Sequence, residues 1–213
     1  MNFLPSINVL LAFTAAGLLL AATPGPDMAL FLSKTLSGGR AHGFAALAGA
    51  MAGLLVHTGA AALGLSALLA ASANAYSIVK AVGALYLLWL AYGALRHGAA
   101  LRLEGQGGGA GGLGRSFMTG LVINLTNPKI ILFFVTFLPQ FISAGDANAS
   151  GKFLFLGLLF IDIGSLFCSG LILIAARFVA AAKANPRAIR WFDYGFAGLM
   201  GAFAARLAWS QGR

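Results

Sequence analysis

Six long apolar runs separated by short polar breaks constrain this chain more than any other feature. Each run can supply the roughly 20 residues that cross the hydrocarbon core of a bilayer, and none shows the strict alternation of a membrane-spanning strand. Only 9% of the residues are charged, against about 25% in a soluble domain. The sequence therefore predicts an all-α membrane protein with six transmembrane helices, near residues 4–35, 42–70, 75–96, 115–138, 151–177 and 188–209.

Positive charge is distributed unevenly between the breaks. The formal net charge is +9, which on a soluble protein would suggest a nucleic-acid partner. Here nine basic residues lie in or beside the breaks after the first, third and fifth helices, and four lie on the other side. Because cytoplasmic loops are enriched in lysine and arginine, we predict a multi-pass protein of the bacterial inner membrane, with both termini in the periplasm and no nucleic-acid partner.

A glycine-rich segment divides the chain into two halves. Residues 98–114 form a predicted flexible cytoplasmic linker, and no GKS or GKT sequence follows the glycines, as phosphate binding would require. Repeat one then covers residues 1–97 and repeat two covers residues 115–213 of a single transmembrane domain. Since three helices per half leave the halves in opposite orientations, this pattern predicts two inverted three-helix repeats, the plan of many secondary transporters.

Helices one and four are each predicted to be broken at prolines. A proline cannot donate a hydrogen bond to the carbonyl four residues earlier, so the carbonyls of Leu20, Ala22 and Asn124 need other partners within the membrane. A cavity lined by such carbonyls and by half-helix N-termini can bind a polar solute. The predicted binding residues are those of the two breaks: Thr23, Pro24, Gly25, Pro26 and Asp27 in the first, and Asn124, Thr126, Asn127, Pro128 and Lys129 in the second.

Each break is followed by an ionisable residue, Asp27 after Pro26 and Lys129 after Pro128. Such a residue within a span costs at least about 2.5 kcal/mol on insertion scales. Their opposite signs predict an ion pair, or a pair that separates around a charged ligand. Alternatively, Lys129 snorkels to the interface if helix four starts late. Two further acidic residues, Asp193 and Glu104, are interpreted as interfacial or loop charges.

The second helix of each half carries a polar residue within its apolar run, His57 in the first half and Asp162 in the second. Gly49, Gly53 and His57 lie four residues apart and share a helix face that permits close approach of a neighbouring helix. His57 should therefore point into the bundle, as part of the pathway or as a structural hydrogen-bonding group. Because proton coupling needs a group that binds either a proton or the substrate, Asp27, His57 and Asp162 are the predicted proton-coupling residues.

In its two break motifs, its length and its six apolar segments, the chain resembles the LysE/RhtB family of amino-acid exporters. The resemblance covers essentially the whole chain. It implies a six-helix bundle that exports amino acids by antiport against protons, so that the amino acid, protons and the lipid bilayer are its partners. The sequence contains no HExxH motif, no suitably placed pair of aspartates and only one cysteine, so we predict that the protein is not an enzyme and has no cofactor. Threonine, homoserine, leucine, lysine and arginine exporters are all represented in the family, so the substrate stays open.

Two other functions fit the same six-helix plan. A solute channel would need a continuous polar path, whereas the polar residues here gather at two breaks. A divalent-cation exporter would use Asp27, His57 and Asp162 as ligands, but the ammonium of Lys129 argues against it, and no resident metal is expected. A homodimer that packs through small residues is also possible, at Gly195, Gly198 and Gly201.

Overall fold

The computed structural model describes residues 5–67, 73–97, 111–143 and 146–209. Most of the predicted linker, Glu104 and both chain ends lie outside these ranges. Within them the chain forms helices connected by short turns. The α-helices are α1 (Ile7–Ala22), α2 (Pro26–Gly38), α3 (Arg40–Ala60), α4 (Ala73–His97), α5 (Leu113–Thr126), α6 (Pro128–Leu132), α7 (Ala149–Leu173), α8 (Ala175–Ala184) and α9 (Pro186–Trp209). A π-helical turn extends α3 over Ala61–Leu65, and a π-helical turn and a 3-10 turn extend α6 to Phe141.

Several of these helices are suited to a membrane. Among the described residues, α3 with its π-helical turn and α7 are long and apolar enough to cross a bilayer. Two bent pairs qualify when each pair is taken as one span: α1 with α2, and α5 with α6 and its extension. The helices α4 and α9 coincide with the third and sixth predicted runs. The all-helical architecture is thus confirmed for the described residues, with two to four candidate spans.

The bends in the two pairs lie at the predicted prolines. The axes change direction by 53° between α1 and α2 and by 49° between α5 and α6. Pro26 is the first residue of α2 and Pro128 the first residue of α6. The residue before each proline, Gly25 or Asn127, has an extended backbone, as the proline ring requires of its predecessor. The prediction that both helices are broken at prolines is confirmed.

The closest helix packing is between α3 and α5, where glycines bring two backbones into contact. A Cβ atom on Gly49 would lie 1.9 Å from the carbonyl oxygen of Phe117, and one on Gly120 would lie 2.0 Å from the carbonyl oxygen of Ala46. Gly53, one turn along, faces the side chain of Asn124. The predicted small-residue face of α3 is confirmed, and it positions α3 directly against the second break.

An aromatic core packs beside the breaks. The rings of Phe133 and Phe160 have centroids 4.2 Å apart, and the ring of Phe13 meets that of Phe141 edge to face at 5.2 Å. Phe13 and Phe160 are 0% and 3% exposed. These rings come from α1, α7 and the extension of α6, so the core joins the first broken helix to the second half of the chain.

Hydrogen bonds join several helix ends on one side of the bundle. Arg40 at the start of α3 donates from Nη2 to the carbonyl oxygen of Leu173 at the end of α7, at 3.0 Å. Nearby on α3, His42 Nδ1 lies 3.0 Å from the hydroxyl of Ser116 near the start of α5. The breaks predicted to share one side of the membrane therefore meet at one end, which we call the basic end.

The turn before α7 carries an ion pair. Lys152 donates to the carboxylate of Asp146, which also accepts a 2.9 Å hydrogen bond from the backbone N–H of Asn148. The hydrogen bond from Lys152, and then that from Asn148, hold the pKa of the Asp146 carboxyl below its usual range. A carboxylate just before a helix also favours its N-terminal dipole, so this pair helps to define where α7 begins.

Candidate functional site

Asp27 lies where the two breaks meet. Its Oδ2 atom accepts hydrogen bonds from the side-chain amides of Asn127 at 2.8 Å and Asn124 at 3.2 Å. Its Oδ1 atom is buried and has no hydrogen-bond partner, and the same holds for Oδ1 of Asn124. A buried acceptor without a donor is costly. The first turn of α2 and the second break therefore hold two acceptors that a donor-rich ligand would satisfy.

Lys129 makes the reciprocal contact from the second break to the first. Its ammonium donates to the carbonyl oxygens of Leu20 at 3.1 Å and Thr23 at 2.9 Å. Gly25 leaves room for this side chain, because a Cβ atom there would lie 3.2 Å from Nζ. The freed carbonyl predicted at Leu20 has thus found its partner. Lys129 points into the bundle rather than snorkelling to the interface.

The expected ion pair between Asp27 and Lys129 is not formed. Neither group lies within salt-bridge distance of the other. Each is instead held by neutral groups, the carboxylate by two asparagine amides and the ammonium by two carbonyls. The other expectation, a pair that separates around a charged ligand, stays a prediction.

His57 reaches the same cluster from α3. Its Nε2 atom is buried without a partner, its ring stacks on Phe134 with centroids 5.5 Å apart, and it lies against the backbone of Asn124. The expected inward orientation of His57 agrees with this position. A titratable nitrogen therefore lies beside the asparagine that binds Asp27.

Three residues of this cluster, Asp27, Asn124 and Lys129, line a small central cavity of about 50 Å³, and His57 is not part of its wall. The cavity has room for a few water molecules, since one water needs roughly 10–15 Å³ on this measure, but not for an amino acid. Its polar wall is made by Asp27, Asn124 and Lys129, and its apolar wall includes Phe31 and Phe160. A solute larger than water can enter only if the helices around the breaks move apart.

Asp162 does not join the cluster in this structure, so its predicted role in proton coupling stays a prediction. Phe160 and Gly164 on α7 face the cavity. Asp162 lies between them, about 200° round the helix from Phe160 at 100° per residue. Its side chain is exposed on the outer face of the bundle. The carboxylate therefore points away from the cavity. The predicted coupling role would require it to point into the cavity.

The other predicted residues contribute through the backbone or not at all. Thr23 is buried and offers its carbonyl to Lys129. Thr126 is exposed, and its hydroxyl bonds the carbonyl of Val122 one turn back. The prolines shape the breaks and have no side-chain polar atom to offer. Pro24 borders a separate apolar cavity shared with α7 and α8.

Two features were missed from the sequence. The first is Tyr86 on α4, whose hydroxyl lies 3.4 Å from the carbonyl oxygen of Pro128. In the sequence, the one indication of this contact is a hydroxyl group within an apolar run. The second is the burial of Asp193, which the sequence indicates only as an interfacial or loop charge and which is 2% exposed. Its neighbours Trp191 and Tyr194 are both exposed, and they are of the type found at membrane interfaces.

The metal-binding alternative gains no support from the geometry. Within the part of the chain that the structure describes, no three His, Cys, Asp or Glu side chains are grouped so as to hold a metal ion. The proposed trio is separated because Asp162 faces outward. Lys129 places a positive charge on the cavity wall, which opposes a divalent cation.

Comparisons with known proteins agree on one family. The LysE type translocator model matches residues 18–211. The chain is 32% identical to the leucine efflux protein of Enterobacter sp. (strain 638), over 92% of this chain and 93% of that protein. It is 30% identical to the threonine efflux protein of Salmonella typhi, over 90% and 94%. It is 29% identical to the homoserine/homoserine lactone efflux protein of Salmonella typhimurium, over 92% and 94%. No solved structure matches the chain.

Proposed function

This chain belongs to the LysE-type translocator family, and we propose that it exports an amino acid or a close derivative across the bacterial inner membrane by proton antiport. Membership makes the chain a multi-pass membrane transporter rather than an enzyme. The names of its relatives, which are efflux proteins for leucine, threonine and homoserine, support an amino-acid substrate. Direction, substrate and coupling ion belong to the proposal.

The proposed topology has six spans arranged as two inverted three-helix repeats. The first predicted helix of each half is bent by a similar angle, 53° in one and 49° in the other, which supports this topology. The hydrogen bonds that join helix ends at the basic end also support it, because they bring every second break of the chain to the same side. Since lysine and arginine are enriched on the cytoplasmic side, we place the basic end in the cytoplasm and both termini in the periplasm.

One observation carries the proposed substrate site: Asp27 and Asn124, each with a buried Oδ1 atom that has no donor, line the same cavity as Lys129. An ammonium group has three donors and fits the two acceptors. The substrate carboxylate then pairs with the ammonium of Lys129, which has a third donor beyond the two used on the carbonyls of Leu20 and Thr23. The two charges of an amino acid thus match the two separate charges of the site.

Proton coupling in this proposal uses competition at Asp27. The carboxylate binds either the substrate ammonium or a proton, so a proton entering from the periplasm displaces the substrate there. His57, whose Nε2 is also unsatisfied, is the second proton carrier in the proposal, and it exchanges a proton with Asp27 through water that enters when the helices around the breaks move apart. Alternating access then requires the two broken helices to separate on one side at a time.

The proposal is tested by flux in reconstituted vesicles. Purified protein in proteoliposomes is loaded with a panel of labelled aliphatic, hydroxylated, basic and acidic amino acids, with and without an imposed pH gradient. We expect saturable flux of one class, accelerated by the gradient and reduced to the passive rate by a protonophore. Absence of amino-acid flux in every arm, or passage of inorganic ions without a gradient, would contradict it.

Because Asp162 points outward and Asp27 lines the central cavity, we expect the two carboxylates to differ in their effect on transport. We expect Asp162→Asn to keep saturable flux and its pH dependence within about twofold of wild type, since substitutions away from packed or paired sites change free energies by about 0.5 kcal/mol or less. The same vesicle assay measures it. A flux reduced tenfold in correctly folded protein would return Asp162 to the pathway.

A further inference from the structure

A second cavity lies at the basic end, where the turn between α2 and α3 meets the kink between α7 and α8. It measures about 480 Å³ and shares no lining residue with the central cavity. One wall comes from the first half of the chain, at Thr35, Leu36, Gly39 and Arg40. The other comes from the second half, at residues 172–177. The cavity therefore bridges the two halves.

The polar part of this cavity is positively charged. Arg40 and Arg177 both line it, and Arg40 uses one donor on the carbonyl oxygen of Leu173. A guanidinium has five N–H donors, so most of this group stays available to a ligand. None of the four acidic residues that the structure describes lines the cavity. Two guanidinium groups without a carboxylate form a site for an anion, and their planar geometry matches phosphate.

The rest of the wall is apolar and faces outward. Leu36, Leu173 and Ile174 are 49%, 50% and 50% exposed, and all three line the same cavity. A small inorganic anion would leave these side chains uncovered. A ligand with a phosphate group and hydrocarbon chains would contact both parts of the wall.

We propose that this cavity binds an anionic phospholipid, with its phosphate between Arg40 and Arg177 and its acyl chains against Leu36, Leu173 and Ile174. The position at the ends of membrane-crossing helices is that of the lipid headgroups, and anionic lipids are attracted by basic residues near the cytoplasmic surface. Because the lipid contacts both halves, its binding stabilises the arrangement in which α3 and α7 meet. The site does not depend on what the central cavity transports.

The test measures lipid binding and thermal stability of purified protein in neutral detergent. Phosphatidylglycerol, phosphatidylcholine and inorganic phosphate are added in separate arms, and bound lipid is counted by native mass spectrometry. We expect phosphatidylglycerol alone to remain bound and to raise the unfolding temperature. At about 1 kcal/mol per basic residue near an anionic surface, Arg177→Gln should weaken this binding about fivefold, and Arg40→Gln with Arg177→Gln about 30-fold.

A matched pair of variants separates a defined site from general surface charge. Arg115→Gln with Arg187→Gln removes the same charge from exposed positions outside the cavity, and should leave phosphatidylglycerol binding within about twofold of wild type. The single variant Arg177→Gln keeps the contact of Arg40 with Leu173, so its effect does not come from a lost helix contact. The proposal is overturned if both double variants lose phosphatidylglycerol binding equally. It is also overturned if phosphatidylcholine or inorganic phosphate stabilises the protein as much as phosphatidylglycerol does.

Discussion

Replacing Asp27 by asparagine should lower saturable amino-acid flux about 100-fold while the protein still folds. Asparagine has nearly the same shape and keeps a carbonyl that can accept from Asn127, which donates to Asp27 at 2.8 Å. It cannot carry the charge that pairs with a substrate ammonium or binds a transported proton. Hydrogen bonds to charged groups contribute about 1.5–3 kcal/mol, which corresponds to roughly 10- to 100-fold, and the lost coupling adds to this.

The measurement is initial flux in proteoliposomes at equal protein content, with elution from a sizing column as the check on folding. Asp162→Asn is the matched control, because it makes the same chemical change in another apolar helix at an exposed position. The proposed site is wrong if Asp27→Asn transports at the wild-type rate with its response to the pH gradient intact.

Replacing Gly49 by alanine should have the largest effect on stability. The added Cβ would lie 1.9 Å from the carbonyl oxygen of Phe117 and 2.9 Å from the backbone nitrogen of Leu121. Backbone atoms cannot rotate away as the end of a side chain can, so α3 and α5 must separate. Overpacking usually costs about 1–3 kcal/mol, and a backbone clash belongs at the upper end, so we expect the unfolding temperature to fall by about 10 °C.

Gly59 on the same helix supplies the control. A Cβ atom there meets nothing within 4 Å, so Gly59→Ala should leave the unfolding temperature unchanged or raise it slightly, because alanine favours a helix over glycine. Thermal unfolding in one detergent, followed by loss of the monodisperse peak, compares the two. Equal stability of both variants would show that α3 and α5 do not pack through Gly49.

Much of the fold is predictable because membrane helices follow simple rules. Continuous apolar runs indicate the helices, and Pro26 and Pro128 determine the bends, since proline blocks the helix locally whatever surrounds it. The close approach of α3 to α5 also follows from local sequence, through Gly49 and Gly53 at helical spacing.

The side-chain partners were harder to predict. In a soluble helix, polarity separates the outer face from the inner one, but in a membrane both faces are apolar. The surroundings of Asp162 and Asp193 therefore could not reveal that the first points outward and the second is buried. Likewise, opposite charges suggested a direct pair for Asp27 and Lys129. The asparagines and carbonyls that hold them instead come from distant parts of the chain, and their contact depends on how the helices pack.

Binding of a labelled amino acid to the purified protein tests the central site most directly, because it needs neither a membrane nor a gradient. With the substrate class identified by flux, equilibrium binding is measured for wild type, Asp27→Asn and Asp162→Asn in the same detergent. We expect saturable binding to wild type and Asp162→Asn and a loss of about 100-fold for Asp27→Asn, by the same charged-group energies. Equal binding by all three proteins would show that the substrate does not use the cavity where the two broken helices meet.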